Sequence, residues 1–188
     1  MDRTMMIVIG AAVVVLALLA VWLMQQRRRT HLRQRFGPEY ERSLQQHGSA
    51  AVAERDLDAR ERRVAKLDIR ALSREETARY SQAWLLTQQR FVDAPGEAVT
   101  EADRLVGEVM RARGYPMADF EQRAADISVD HPQVVANYRA ARAVIERHGR
   151  GESTTEDLRQ ALVHYRELFA DLLDLRREPL RRAAGGRQ

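Results

Sequence analysis

The chain has no cysteine, so disulfides, thiolate nucleophiles and Cys-ligated zinc or iron–sulfur centres are excluded at once. The redox compartment stays open, because exported proteins need no disulfides. Aromatic residues are few, four Phe, five Tyr and two Trp, and only ten Gly and five Pro are spread over 188 residues. A β-sandwich or barrel calls for more turn residues and aromatic-rich strands than this. There is a single lysine, Lys66, against thirty arginines, a bias that suits a GC-rich genome. Ala, Leu, Arg, Glu and Gln dominate instead, and these favour helices. The expected fold class is all-α.

A net charge of +4 conceals a strong partition. Residues 25–36 carry Arg27, Arg28, Arg29, Arg33 and Arg35 and no acid, whereas residues 37–175 hold 20 basic against 25 acidic groups. The last thirteen residues carry five Arg and one Glu. Nucleic-acid binding needs basic residues gathered on a folded surface, so basic ends around an acidic middle argue against a nucleic-acid partner.

Met5 to Met24 contains no charged or polar side chain. At about 1.5 Å per residue this run forms a helix of roughly 30 Å, the thickness of a bilayer hydrocarbon core. A cleaved signal peptide has a cationic start, a shorter apolar stretch and a small-residue cleavage site. Here the start is neutral overall, and Ala20 is followed by Val21, Trp22 and Leu23, so an uncleaved transmembrane anchor is the preferred expectation over export after cleavage. The arginine excess behind the run places the short N-terminus outside and the rest in the cytoplasm. The five collar arginines are candidate lipid-headgroup contacts, each worth about 1 kcal/mol near an anionic surface.

Behind the collar, Phe36-Gly37-Pro38 predicts a helix break. Glu39–Gln46 predicts a short helix ended by Gly48. Ser49 opens a longer one in which Ala50, Ala53, Leu57, Val64 and Leu67 form a narrow apolar stripe beside a heavily charged, solvated face, the pattern of a stalk, a coiled-coil strand or a packed arm. Leu67–Leu72 reads as a linker tucking Leu67, Ile69 and Leu72 into a core. Ser73 with Glu76 marks a capping box, and Tyr80, Trp84, Thr87 and Phe91 share the face of the helix that follows. Further amphipathic helices are predicted from Ala98 to Gly114, from Asp119 to Ile127, from an Asp130 N-cap to Arg147, and after a Ser153/Glu156 capping box. The chain thus divides into an anchor and collar (1–36), a charged helical arm and linker (37–72), a bundle of about four or five helices (73–175) and a basic tail (176–188) without apolar periodicity.

No catalytic constellation emerges. His31, His47, His131, His148 and His164 lack a second histidine or a carboxylate at metal-ligand spacing. There is no phosphate-cradling Gly-rich loop and no Gly-x-Ser-x-Gly elbow, and the acidic pairs lie at helix positions that point apart. No catalytic residue, metal ligand or cofactor is assigned. The polar, aromatic bend from Tyr115 to Arg123, with Asp130-His131 behind it, is the candidate partner surface: Tyr115, Phe120, Glu121, Arg123, Asp130 and His131.

In RFGPEYER (Arg35–Arg42), LDIRAL (Leu67–Leu72) and above all RGYPMADFEQRAADISVDHPQVVANYRAAR (Arg113–Arg142), the chain resembles a family of bacterial membrane-anchored proteins described as hypothetical or secreted. The resemblance spans Arg33 to Leu173. It implies a bacterial inner-membrane location and carries no activity, cofactor or catalytic residue. The function expected is a non-enzymatic single-pass membrane protein whose helical domain binds a protein partner, with self-association also open. The alternative is a tethered enzyme or small-ligand binder whose site is assembled from several helices.

Overall fold

The computed structural model describes residues 3–174, with side chains from residue 12 onward. Among the described residues there are eight helices and no strand: α1 (Arg3–Phe36), α2 (Pro38–His47), α3 (Ala50–Val64), α4 (Arg74–Arg90), α5 (Pro95–Arg113), α6 (Phe120–Asp130), α7 (Val135–Gly149) and α8 (Thr155–Leu172). The all-α expectation holds. The basic tail lies outside the described residues, as do the side chains of Met5–Ala11 in the apolar run. No helix of the described residues is long and apolar enough to cross a membrane. Within the residues whose side chains are described, an eighteen-residue stretch beginning at Ala12 takes in Arg27, Arg28 and Arg29.

The chain forms two compact units, Met1–Asp58 and Ala59–Gln188, divided inside α3. In the first, Gly37 (φ 50°) and Pro38 at the first turn of α2 break the long helix where the sequence predicts. Leu32, Phe36, Tyr40, Ala53 and Leu57 are buried. The charged face expected on α3 is not uniformly solvated, because Glu54 and Arg60 are both buried. Glu54 Oε1 accepts from Arg29 Nε at 2.9 Å and from the Tyr40 hydroxyl at 3.0 Å. A buried carboxylate needs such donors to offset its lost hydration.

The second unit has one apolar core, to which α4, α5, α6, α7 and α8 all contribute. Helix α5 lies at its centre, with nine of its nineteen residues buried and with α4, α7 and α8 all packed against it. Arg113 at the end of α5 donates from Nη1 to Leu172 O at the end of α8 at 2.7 Å, so these two helices run parallel. Asn137, early in α7, donates to Glu167, late in α8, so α7 runs antiparallel to them. The turn 91–94 returns α4 along α5, and Trp84 stacks on Phe169 with ring centroids 4.8 Å apart.

Three local expectations shift. The α8 capping box is Thr154 with Asp157, one residue later than predicted, and Ser153 Oγ instead meets His148 Nδ1 at 2.9 Å. Asp130 is not an N-cap. It closes α6, which runs three residues beyond Ile127 because its inward side continues through Val129, while α7 begins at Val135 behind Val134 with no side-chain cap. The Ser73/Glu76 box is present as predicted.

The linker docks in part as expected, with Ile69 and Leu72 against the core, while Leu67 is half-buried outside that cluster. Its backbone crosses the end of α5, where Arg70 N–H donates to Arg113 O at 2.9 Å. Gly114 makes this approach possible. Its φ is 98°, and a Cβ there would sit 2.4 Å from Asp68 O. Gly114→Ala is therefore expected to cost about 2 kcal/mol or more from backbone strain alone, with a lower urea midpoint by far-ultraviolet circular dichroism. Gly149→Ala, where a Cβ meets nothing within 4 Å, should leave that midpoint nearly unchanged.

Candidate functional site

Residues from Tyr115 to His131 assemble a polar cluster on the inner side of α6, close to the end of the bundle. Tyr115 follows the left-handed Gly114 and is turned inward, and its hydroxyl donates to Asp130 Oδ2 at 2.9 Å. Burial first, and the neighbouring Asp130 carboxylate second, hold its phenol well above the ordinary range. His131 Nδ1 lies 2.5 Å from Asp171 Oδ2. A carboxylate only accepts, so Nδ1 carries the hydrogen of this contact. Asp126 Oδ1 accepts from Arg63 Nε and from Gln122 Nε2, both at 2.8 Å. Arg113, anchored on Leu172 O, also reaches Asp174 Oδ2 at 3.8 Å.

A second cluster ties the middle of the bundle. Asp103 on α5 accepts from the Tyr165 hydroxyl at 2.9 Å and from Arg142 Nη1 at 3.2 Å. Arg142 also lies over the Phe120 ring, 5.6 Å from its centroid. Phe120 packs on Tyr138 and Tyr138 on Tyr165, with centroids 4.8 and 6.3 Å apart. Burial and the Asp103 carboxylate raise the phenol of Tyr165, and burial pushes Tyr138 up to about 12.

These placements correct the candidate surface. Tyr115 and His131 are buried, and Phe120 is half-buried under Arg142 and Tyr138, so none of the three offers a docking face. Arg123 places a guanidinium nitrogen 3.6 Å from where a Cβ on Gly107 would lie, so it packs along α5. Asp130 is half-buried and committed to Tyr115. Glu121 alone keeps a mostly exposed side chain, 3.9 Å from Arg139. The collar changes as well. Arg28 pairs with Asp58, Arg29 with Glu54, and Arg33 covers the Tyr40 ring at 5.1 Å, whereas Arg27 has an exposed position on α1. Thus at least three of the five proposed headgroup contacts also serve the protein's own packing.

The chain matches no protein-family model, no curated protein and no solved structure.

Chemically, the first cluster is an arrangement of held charges. The His131–Asp171 pair resembles the base and orienting acid of a hydrolytic triad, yet the Ser128 hydroxyl three residues earlier donates to Ala125 O at 2.6 Å and is buried in its own helix. Among the described residues no group of three or more His, Asp or Glu side chains is placed to hold a metal ion. Asp103, Arg142, Tyr165, Asp126, Arg63 and Arg113 were not singled out from the sequence. One signal was available: Arg113 continues the inward stripe Ala102, Val106, Val109, and Asp126 sits between inward Ala124 and Ile127. A charge inside an apolar stripe marks a buried partner elsewhere.

The buried phenols predict alkaline lability. An unfolded tyrosine titrates near 10, and a folded one held higher contributes stability that is full below that value and lost as pH rises through its folded pKa. For Tyr138 the window runs from about 10 to about 12. Tyrosinate absorbance of Tyr115, Tyr138 and Tyr165 should rise together with loss of helical circular dichroism, and Tyr138→Phe should flatten the stability profile in that window. Ionisation of these phenols in a chain that stays fully helical would contradict the assignment.

Proposed function

We propose that this chain is a membrane-anchored adaptor: α1 enters a bilayer at its N-terminal end, and the helical bundle is held at that surface to bind a protein partner. One observation carries the reading. From Val13 to Met24 the large apolar side chains of α1 are exposed on every face of the helix, from 44% at Leu23 to 71% at Met24. A helix apolar all round needs a non-aqueous surrounding, and a patch of this extent is not left in water by a soluble monomer. In the sequence the same uncharged run reaches back to Met5, long enough for a bilayer core. Trp22 next to the arginines suits the interfacial position.

The orientation that follows has the short N-terminus outside and the bundle on the cytoplasmic side of a bacterial inner membrane, because Arg27, Arg28, Arg29, Arg33 and Arg35 follow the run and only Arg3, offset by Asp2, precedes it. Partner binding is preferred to catalysis because the titratable groups brought together in the bundle are paired with one another, as in Tyr115–Asp130, His131–Asp171 through Nδ1, and Asp103–Tyr165–Arg142.

The full chain should sediment with membranes and resist alkaline carbonate extraction. Leu16→Arg with Leu19→Arg, at about 2.5–3.5 kcal/mol per arginine near a span centre, should make it extractable while the bundle retains its helical signal. Extraction of the unaltered chain would overturn the anchor. A C-terminal reporter active only outside the cytoplasm would overturn the orientation.

A further inference from the structure

Helix α4 lies at the margin of the bundle and packs on α5, and the furrow between it and α8 is open. Ser81, Trp84 and Leu85 face it from α4, and Arg166, Phe169 and Ala170 from α8, each set at the i, i+3, i+4 spacing of one helix face. The furrow holds about 260 Å³ and is lined almost wholly by apolar atoms. Trp84 and Phe169, stacked on one another, form its floor, and Leu85, more than half exposed, forms one wall. Arg166 stands on the other wall, exposed, with no ion pair or hydrogen bond among the described residues. Arg104, Arg142 and Arg159, by contrast, are each bound to carboxylates on their own helix.

From this geometry we infer that the α4–α8 furrow is the docking site for an amphipathic helix of a protein partner, which seats an apolar side chain on Trp84 and Phe169 and a carboxylate on Arg166. The inference rests on the adaptor reading and names its contact surface. The volume is below the roughly 300–1,000 Å³ of small-molecule pockets and suits one or two apolar side chains laid between two helices. Charge selects the occupant. A second copy joined by a two-fold contact would bring this face, with an Arg166 that has no partner among the described residues, against itself, and like charges at an interface oppose association. Residues 175–188 carry five arginines and one glutamate, so they too would set positive charge beside Arg166. An acidic partner helix satisfies both halves of the furrow.

Trp84 supplies the readout. The chain has two tryptophans, so in a Trp22→Phe background of the full chain in detergent micelles all tryptophan emission comes from the furrow. The probe is a capped Ala–Gln helical peptide with two leucines one turn apart and a glutamate on the next turn, compared with its glutamate-to-lysine counterpart. The glutamate peptide should shift Trp84 emission saturably, and the lysine peptide should bind about fivefold more weakly or worse, the value of one exposed ion pair. Arg166→Glu should invert that preference, and Leu85→Asp should abolish the response; both positions are exposed, and circular dichroism checks that each variant is folded. Equal response to both peptides, no saturable response, or an unchanged preference in Arg166→Glu would overturn the inference. So would tighter binding of a peptide of residues 175–188, saturation by decanoate without peptide binding, or an emission shift that tracks protein concentration alone. Extraction and emission are read separately: a chain that carbonate extracts yet that discriminates the peptides loses the anchor and keeps this site, and the converse result loses only the site.

Discussion

The second unit is organised around the burial of α5. Its stripe from Ala98 to Met110 is so apolar that the helix must be covered on most of its circumference, and α4, α7 and α8 are the elements that cover it. Parallel packing of α5 and α8 then follows from chain economy. The four-residue turn 91–94 forces α4 and α5 antiparallel, and α7 and α8 are joined by a short turn at Gly151, so α6 and its flanking bends carry the chain from the end of α5 to the start of α7. The polar cluster gathers around that connection because the backbone there leaves regular helix, and its side chains are needed to fix the bends.

Apolar burial alone does not fix rotation or slide of one helix on another. Helix faces of Ala, Val and Leu can settle at several neighbouring positions at small cost. The interior hydrogen bonds discriminate between these. Sliding α8 by a turn on α5 would separate Tyr165 from Asp103 and Arg113 from Leu172 O, leaving a half-buried carboxylate and a buried guanidinium short of partners. Removing one partner of a buried charge costs several kcal/mol, about the net stability of many domains. In the first unit Glu54 has the same role, since its single oxygen bridges Arg29 and Tyr40 from two different helices.

This division of labour explains which features were legible in the sequence. Breaks and caps are local chemistry, so Phe36-Gly37-Pro38, the Ser73–Glu76 box and the Gly114 helix end are where pattern alone puts them. The Tyr80, Trp84 and Thr87 face and the inward set of α5 were legible for the same reason, because helical periodicity maps directly onto burial. Long-range polar pairing was not legible. Asp103 finds Tyr165 sixty-two residues away, and Arg63 finds Asp126 at a separation of sixty-three, and no local spacing encodes either. The bend at Tyr115–Arg123 looked like a surface because polar and aromatic residues mix there. Instead the bend turns Tyr115 inward to Asp130 and lays Phe120 on Tyr138, while Glu121 stays in solvent.

The same reasoning decides where recognition is to be sought. A side chain whose hydrogen-bonding capacity is spent inside the fold cannot contribute to binding without first breaking a buried contact, and that cost is subtracted from any affinity gained. Tyr115 and Asp130 belong to that class, and so does Arg142. Binding energy is more readily drawn from apolar surface left uncovered and from charge left unpaired. Among the described residues the α1 segment from Val13 to Met24 supplies apolar area with no charge inside it, which suits lipid, whereas the α4–α8 furrow joins Trp84, Leu85 and Phe169 to one guanidinium, which suits a peptide side chain beside a carboxylate. The two surfaces thus differ in chemistry as well as place, and a bilayer that satisfies the first would leave Arg166 and the aromatic floor of the second to a different partner.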